Sequence, residues 1–338
     1  MLVKYQNMRE MLSDNRIINY DFIKGVAIIF VILLHLFSAY SVLPPHVAYH
    51  IGNAVPLFLI TTILLRYKKL EKRGMNGYWS SIKKELLTIF IPFLFAQLIL
   101  VILFRPDPIS FITTFGIGMG AYYPFIHAQI IILAPAAYKI LNRNFIIGSV
   151  IILSFCVISE ALFSYFLIPQ WTYRILFTRY CFLYVIGFLL LKNDLLSKYK
   201  YYIGILTILG CIFIYFHCYH GYNAFFYPGW IGSKFPRDFL SLCWFLFLFN
   251  ACNYTPHAIR KAVAYMGKKS YDIFIIQMMF FCCRLHISNI LIVGALSFIL
   301  ILICSYPWGL CMNKLRELLV LKLFTKKKSE TEASTYNT

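Results

Sequence analysis

The chain has 338 residues, 60% hydrophobic and 13% charged, with a net charge of +19. A soluble domain carries roughly 25% charged residues, so this composition excludes a polar surface wrapped around a water-soluble core. A nucleic-acid-binding unit is excluded too, because the cations lie between apolar segments, where lipid headgroups are the partners they meet.

In chain order the apolar runs fall at 18–40, 51–65, 86–104, 121–141, 145–167, 173–191, 201–219, 238–252, 271–287 and 289–313. Judged against the ~20 residues that a helix needs to cross a bilayer, they predict an all-α polytopic integral membrane protein with about ten transmembrane helices. The runs are continuous and do not alternate, which argues against an outer-membrane barrel. No internal repeat is visible, so an inverted-repeat transporter gains no support. The whole chain, 1–338, reads as one membrane domain. Its first run follows a polar leader without a small-residue cleavage site and is expected to be a retained helix. Residues 326–338 are polar and expected to be a disordered tail.

Orientation follows from the loops. With the N-terminus inside, cytoplasmic segments hold 25 lysines and arginines, and outer segments hold six: Arg105, Arg174, Arg179, Lys234, Arg237 and Arg284. This predicts a multi-pass protein of the plasma membrane with both termini in the cytoplasm. The ten cysteines lie within or at the ends of apolar runs and form no Cys-x-x-Cys pair. They read as small hydrophobes, not as a metal site or disulfide framework.

Ionisable residues inside a span are functional candidates, because lipid is a poor solvent for them. The first span holds Asp21, Lys24 and His35. At 100° per residue, the eleven steps from Lys24 to His35 return to within about 20° of the same face, ~16 Å along the axis. Asp21 lies one turn before Lys24. An acid, a cation and an imidazole therefore share one stripe, with His35 in the outer half. The alternative is an interfacial ion pair with a snorkelling lysine, plus a histidine bonded to a neighbouring helix.

The segment Asp21-Phe-Ile-Lys24-Gly25, nine aliphatic or aromatic residues, then His35, resembles the first helix of the acyltransferase-3 family of membrane O-acyltransferases, which reads Asp-x-x-Arg-Gly…His. Lys24 stands where that family has Arg, keeping the charge without the planar fork. Val55-Pro56-Leu57-Phe58 resembles the start of the family's second helix, with Thr61-Thr62 in place of Ser-Gly. Arg179, Phe182 and Gly187 resemble its central Arg…Gly helix. Gly267-Lys268-Lys269-Ser270-Tyr271 resembles the motif opening its penultimate helix, with Gln277 where the motif ends in His.

The resemblance covers about residues 16–313 and implies transfer of an acyl group, commonly acetyl from acetyl-CoA, to a hydroxyl of a sugar, glycan or other envelope molecule. The acyl-CoA is then a donor substrate, and no permanently bound cofactor is expected. His35, Asp21 and Lys24 become the catalytic candidates. Lys24, Arg179, Lys268 and Lys269 are the candidates for binding the donor, whose polyphosphate head would stay inside while its arm rises toward His35. A near-neutral imidazole suits deprotonating the acceptor hydroxyl or carrying the acyl group.

The remaining polar positions carry two readings each. Tyr123, His127 and Gln129 lie near the outer end of the fourth span and are candidates for the acceptor cleft, or a capped helix start with interfacial aromatics. Glu160 and Arg179 suggest an ion pair between neighbouring spans. Gly116-x-Gly118-x-Gly120 reads as a flexible turn before it reads as a phosphate loop. Lys268, Lys269 and Asp272 are donor contacts or surface charges. His217 and His220 lack a third ligand for metal. Two other functions remain in view. A polysaccharide flippase or polymerase would more naturally carry Arg-rich or long outer loops, and a small-molecule transporter would use Asp21, Lys24 and His35 as a relay.

Overall fold

Inside a bilayer a continuous apolar run satisfies its backbone by closing hydrogen bonds within a helix. The structure, a computed structural model describing residues 2–39, 44–220, 235–282 and 290–335, contains no strand among those residues. Its helices are α1 (Leu2–Ala39), α2 (Pro45–Ile51), α3 (Ala54–Phe104), α4 (Pro108–Thr114), α5 (Tyr123–Arg143), α6 (Phe145–Tyr165) and α7 (Gln170–Ile175). A 3-10 turn (Phe177–Tyr180) follows, then α8 (Phe182–Leu191), α9 (Asn193–Lys198), α10 (Lys200–His220), α11 (Phe235–Tyr254), α12 (His257–Lys268), α13 (Ser270–Phe280) and α14 (Ile290–Thr335).

Five described stretches are long and apolar enough to cross a membrane: Ile18–Phe37, Ser81–Phe104, Tyr123–Arg143, Phe145–Tyr165 and Ile292–Leu318. Three more, Phe182–Leu191, Lys200–Phe216 and Ser270–Phe280, are apolar but shorter. Helix length and composition do not confirm ten crossings among the described residues. The difference arises at identifiable places. The run 173–191 is α7, the 3-10 turn and α8, because Gln129 of α5 captures the backbone between them. Its amide nitrogen donates to the Ile175 carbonyl at 2.8 Å, and its oxygen accepts from the Phe177 N–H at 3.0 Å. Those bonds replace helical ones. Run 51–65 begins at the end of α2, and its remainder joins run 86–104 in α3, which is two helices folded back on each other at a kink. Its one non-helical residue is Gly74, at φ 65° and ψ −175°, a conformation that glycine adopts without the steric cost other residues bear.

α14 continues to Thr335, through most of the stretch expected to be disordered. Of the positions singled out above, Lys234, Cys283 and Arg284 lie outside the described residues, as do the side chains of His217, Cys218 and Arg237.

The core gathers around α1, which packs against α12, α3, α11 and α13, while α3 packs on α5 and α8. Two glycines set the closest approach. A Cβ on Gly267 of α12 would sit 1.7 Å from the Asp21 carbonyl oxygen, and one on Gly25 of α1 would sit 2.0 Å from that of Val263. The two backbones touch, and no side chain fits between them. The outward faces stay apolar: Leu98, Ile102, Ile151 and Ile299 are each more than half exposed. Such a surface suits acyl chains and would be a liability in water.

Candidate active site

On α1, Lys24 Nζ lies 2.6 Å from Asp21 Oδ1, with both side chains about three-quarters buried. The three-residue spacing and the Gly25–Gly267 contact account for this. The first puts both groups on one face, and the second brings α12, with Lys268, against the same part of α1.

A cavity of about 310 Å³ runs along α1 from Lys24 to His35. At the Lys24 end it is lined by Arg66, Glu85 and Lys268, and at the His35 end by Gly52, Gly120 and Tyr122. Between them stand mostly apolar and aromatic groups, including Phe58, Tyr123, Tyr271 and Phe274, with His127 among them. A few polar groups converging on an apolar cleft is the usual make-up of a small-molecule site. Arg66 and Glu85 form an ion pair across the hairpin of α3. Positive charge is dense at this end. Partial burial, then the Arg66 and Arg73 charges, lower the pKa of Lys69. Lys68 donates to the Tyr20 hydroxyl at 2.5 Å and lies over its ring.

At the opposite end, His35 Nδ1 is 2.8 Å from Gln277 Oε1 on α13. An amide oxygen only accepts, so Nδ1 carries the proton and Nε2 keeps its lone pair. Gln277 is 0% exposed, and its amide nitrogen has no partner among the described residues. Phe281 meets the imidazole edge-on at 6.1 Å. The glycine turn closes the wall here. Gly116, Gly118 and Gly120 have φ of 123°, 100° and 92°, values that side chains strain to adopt. A Cβ on Gly120 would come within 3.0 Å of Phe274 and 3.7 Å of His35 Cε1. The turn is pinned, not flexible: Gln97 accepts from the Ile117 N–H at 2.7 Å and donates to the Ile117 carbonyl at 3.0 Å.

The cavity thus collects Lys24, His35, Tyr123, His127 and Lys268 from the sequence candidates, with Asp21 paired to Lys24. Three candidates fall elsewhere. Lys269 turns to Asp272, 4.0 Å away. Gln129 is spent on the 175–177 backbone. Arg179 lies in the 3-10 turn, 8% exposed, with its guanidinium 5.5 Å from the Tyr173 ring. It does not line the cavity, which removes the geometric basis for a donor contact. Nor do Arg179 and Glu160 approach within ion-pair distance. Tyr173 connects them, donating to Glu160 Oε2 at 3.3 Å. Sequence reasoning passed over Arg66, Glu85 and Gln277. Arg66 reads as the first cation of a surface run, and Gln277 was visible only as a departure from a motif.

A family model described as an acyltransferase domain, Acyl_transf_3, matches residues 17–314. Comparison with curated proteins and with solved structures gives no match. The matched stretch begins before Asp21 and ends after Gln277, so it contains every residue that lines the cavity. The chain belongs to the acyltransferase-3 family and is a membrane acyltransferase.

Proposed function

We propose that the protein moves an acyl group, acetyl in the simplest case, from a cytoplasmic acyl-CoA to a hydroxyl of an envelope glycan or lipid-linked sugar. It would do so in the plasma membrane, as one domain with both termini in the cytoplasm. The observation that carries this reading is that one cavity joins a cationic end, at Lys24, Arg66 and Lys268, to His35, whose Nδ1 is held by Gln277. The phosphates of the donor favour the first, and its slender arm suits the narrow apolar middle.

In this reading His35 Nε2 takes the proton of the acceptor hydroxyl as its oxygen attacks the thioester carbonyl. The tetrahedral intermediate then breaks its carbon–sulfur bond. The thiolate leaves and recovers the proton from the imidazolium, giving an ester and free CoA. Contacts between distant segments support a common inner end: Tyr20 meets Lys68, and Lys192 meets Glu71 at 2.5 Å.

The test is thiol release from acetyl-CoA by purified protein supplied with a membrane-glycan extract. Free CoA should appear with the native chain and not with His35→Ala. Glycan or solute movement across proteoliposomes without thiol release would instead favour the flippase or transporter.

A further inference from the structure

His127 lines the cavity from the first turns of α5. Its Nδ1 is buried without a partner, and neither ring nitrogen makes a hydrogen bond among the described residues. The ring packs edge-on against Tyr123, centroids 5.6 Å apart. An unpaired imidazole in an apolar span is costly, and an apolar side chain of similar volume would pack there at no such cost. A ligand is the partner that this position lacks.

The chemistry of that ligand follows from position and from the imidazole itself. Tyr123 N–H donates to the Gly120 carbonyl at 2.8 Å, and Gly120 abuts His35. His127 is one turn further along α5, ~6 Å from Tyr123, within electrostatic reach of Arg66 and Lys24. It therefore stands between the cationic end and His35. A neutral imidazole offers one donor and one acceptor. A secondary amide offers the same pair, and the pantetheine arm of CoA carries two of them, whereas phosphates are better served by the three cations and the reacting hydroxyl by His35.

We propose that His127 hydrogen-bonds an amide of the donor's pantetheine arm and so sets how far the thioester reaches toward His35; this rests on the acyl-CoA reading above. It moves His127 from the acceptor side of the reaction to the donor side.

Calorimetric titration of the purified full chain with three probes tests this without an acceptor: coenzyme A, pantetheine, and adenosine 3′,5′-bisphosphate. His127→Leu should weaken coenzyme A and pantetheine by the same factor, about tenfold, and leave the nucleotide unchanged. Lys268→Ala should weaken coenzyme A and the nucleotide and leave pantetheine unchanged. His127→Gln, which keeps a donor and an acceptor, should bind all three within about threefold of the native chain. Unaltered pantetheine affinity in folded His127→Leu overturns the assignment while leaving the acyl-CoA reading intact. If His127→Leu does not fold, a His127→Gln chain that binds the nucleotide but has lost pantetheine overturns it equally. Failure of the native chain to bind coenzyme A or pantetheine overturns the acyl-CoA reading and this proposal with it.

Discussion

His35 and Gln277 are 242 positions apart in the chain and 2.8 Å apart in space. The bond fixes which imidazole nitrogen is basic, and it does so with a neutral group. His35→Ala should slow acyl transfer by roughly 10²–10⁴-fold while leaving folded yield and donor binding intact. Gln277→Leu, which frees the ring to rotate and change tautomer, should lower kcat by about tenfold with little change in donor affinity. Gln277→Glu keeps the acceptor and should retain more activity than Gln277→Leu. Full activity of Gln277→Leu beside an inert His35→Ala would refute the tautomer argument and leave His35 standing.

Gly267→Ala should destabilise the protein by at least about 1–3 kcal/mol, since the new Cβ would meet backbone, not a movable side chain. Gly294→Ala is the control: its Cβ would meet only the Leu36 Cδ2 at 3.1 Å, which can shift. Thermal melting in detergent should separate the two clearly, with the second close to the native chain.

Lys24→Arg should be tolerated, because it preserves the charge that pairs with Asp21 and restores the residue usual in the family motif. Asp21→Asn should weaken donor use more than acceptor use, since Lys24 then loses its partner at the cavity mouth. Kinetics in which only the acceptor KM changes would count against that order.

Pro44, exposed beyond the His35 end of α1, should become labelled from outside the cell when replaced by cysteine. Reporters fused to either terminus should read cytoplasmic. A protected cysteine at 44 with an external tail would reverse the direction of the proposed reaction.

The Glu71 carboxylate raises the pKa of Lys192 above the 10.5 of free lysine. The stability it contributes is fully present below 10.5 and disappears as pH rises through the higher folded value. Glu71→Gln should therefore cost no more than about 0.5 kcal/mol at neutral pH, because both side chains are over a third exposed. That deficit should vanish once Lys192 is neutral in both proteins, as followed by melting across alkaline pH.

The stripe of Asp21, Lys24 and His35 was legible because it lies within one helix, where sequence spacing is geometry. Much of the rest depends on partners far along the chain. The break in 173–191 is made by Gln129, 46 and 48 positions from the backbone groups it binds, and nothing in the run itself marks it. The same distance misleads about Gln129, whose polarity near an outer helix end suggests a cleft when it serves a turn. Arg66 and Glu85 flank a basic hairpin and look like surface charges, since only the kink at Gly74 folds them together. The glycine turn is held by Gln97 and Met278, neither of which is close to it in sequence.

His35 stands ten residues beyond Gly25, and Gln277 ten beyond Gly267. The glycine crossing is thus the fulcrum of a lever, the unbroken α1 arm from Gly25 to His35, while Gln277 stands on α13, beyond the helix break at Lys269. Along ~15 Å of helix, a 5° change at the fulcrum displaces the tip by about 1.3 Å, and a misplacement of about 1 Å can cost 10²-fold in rate. An opening too slight to register as lost stability would part His35 from Gln277 while leaving Lys24 and Lys268, beside the fulcrum, almost where they were. Damage at the crossing would then appear first in turnover and last in donor affinity.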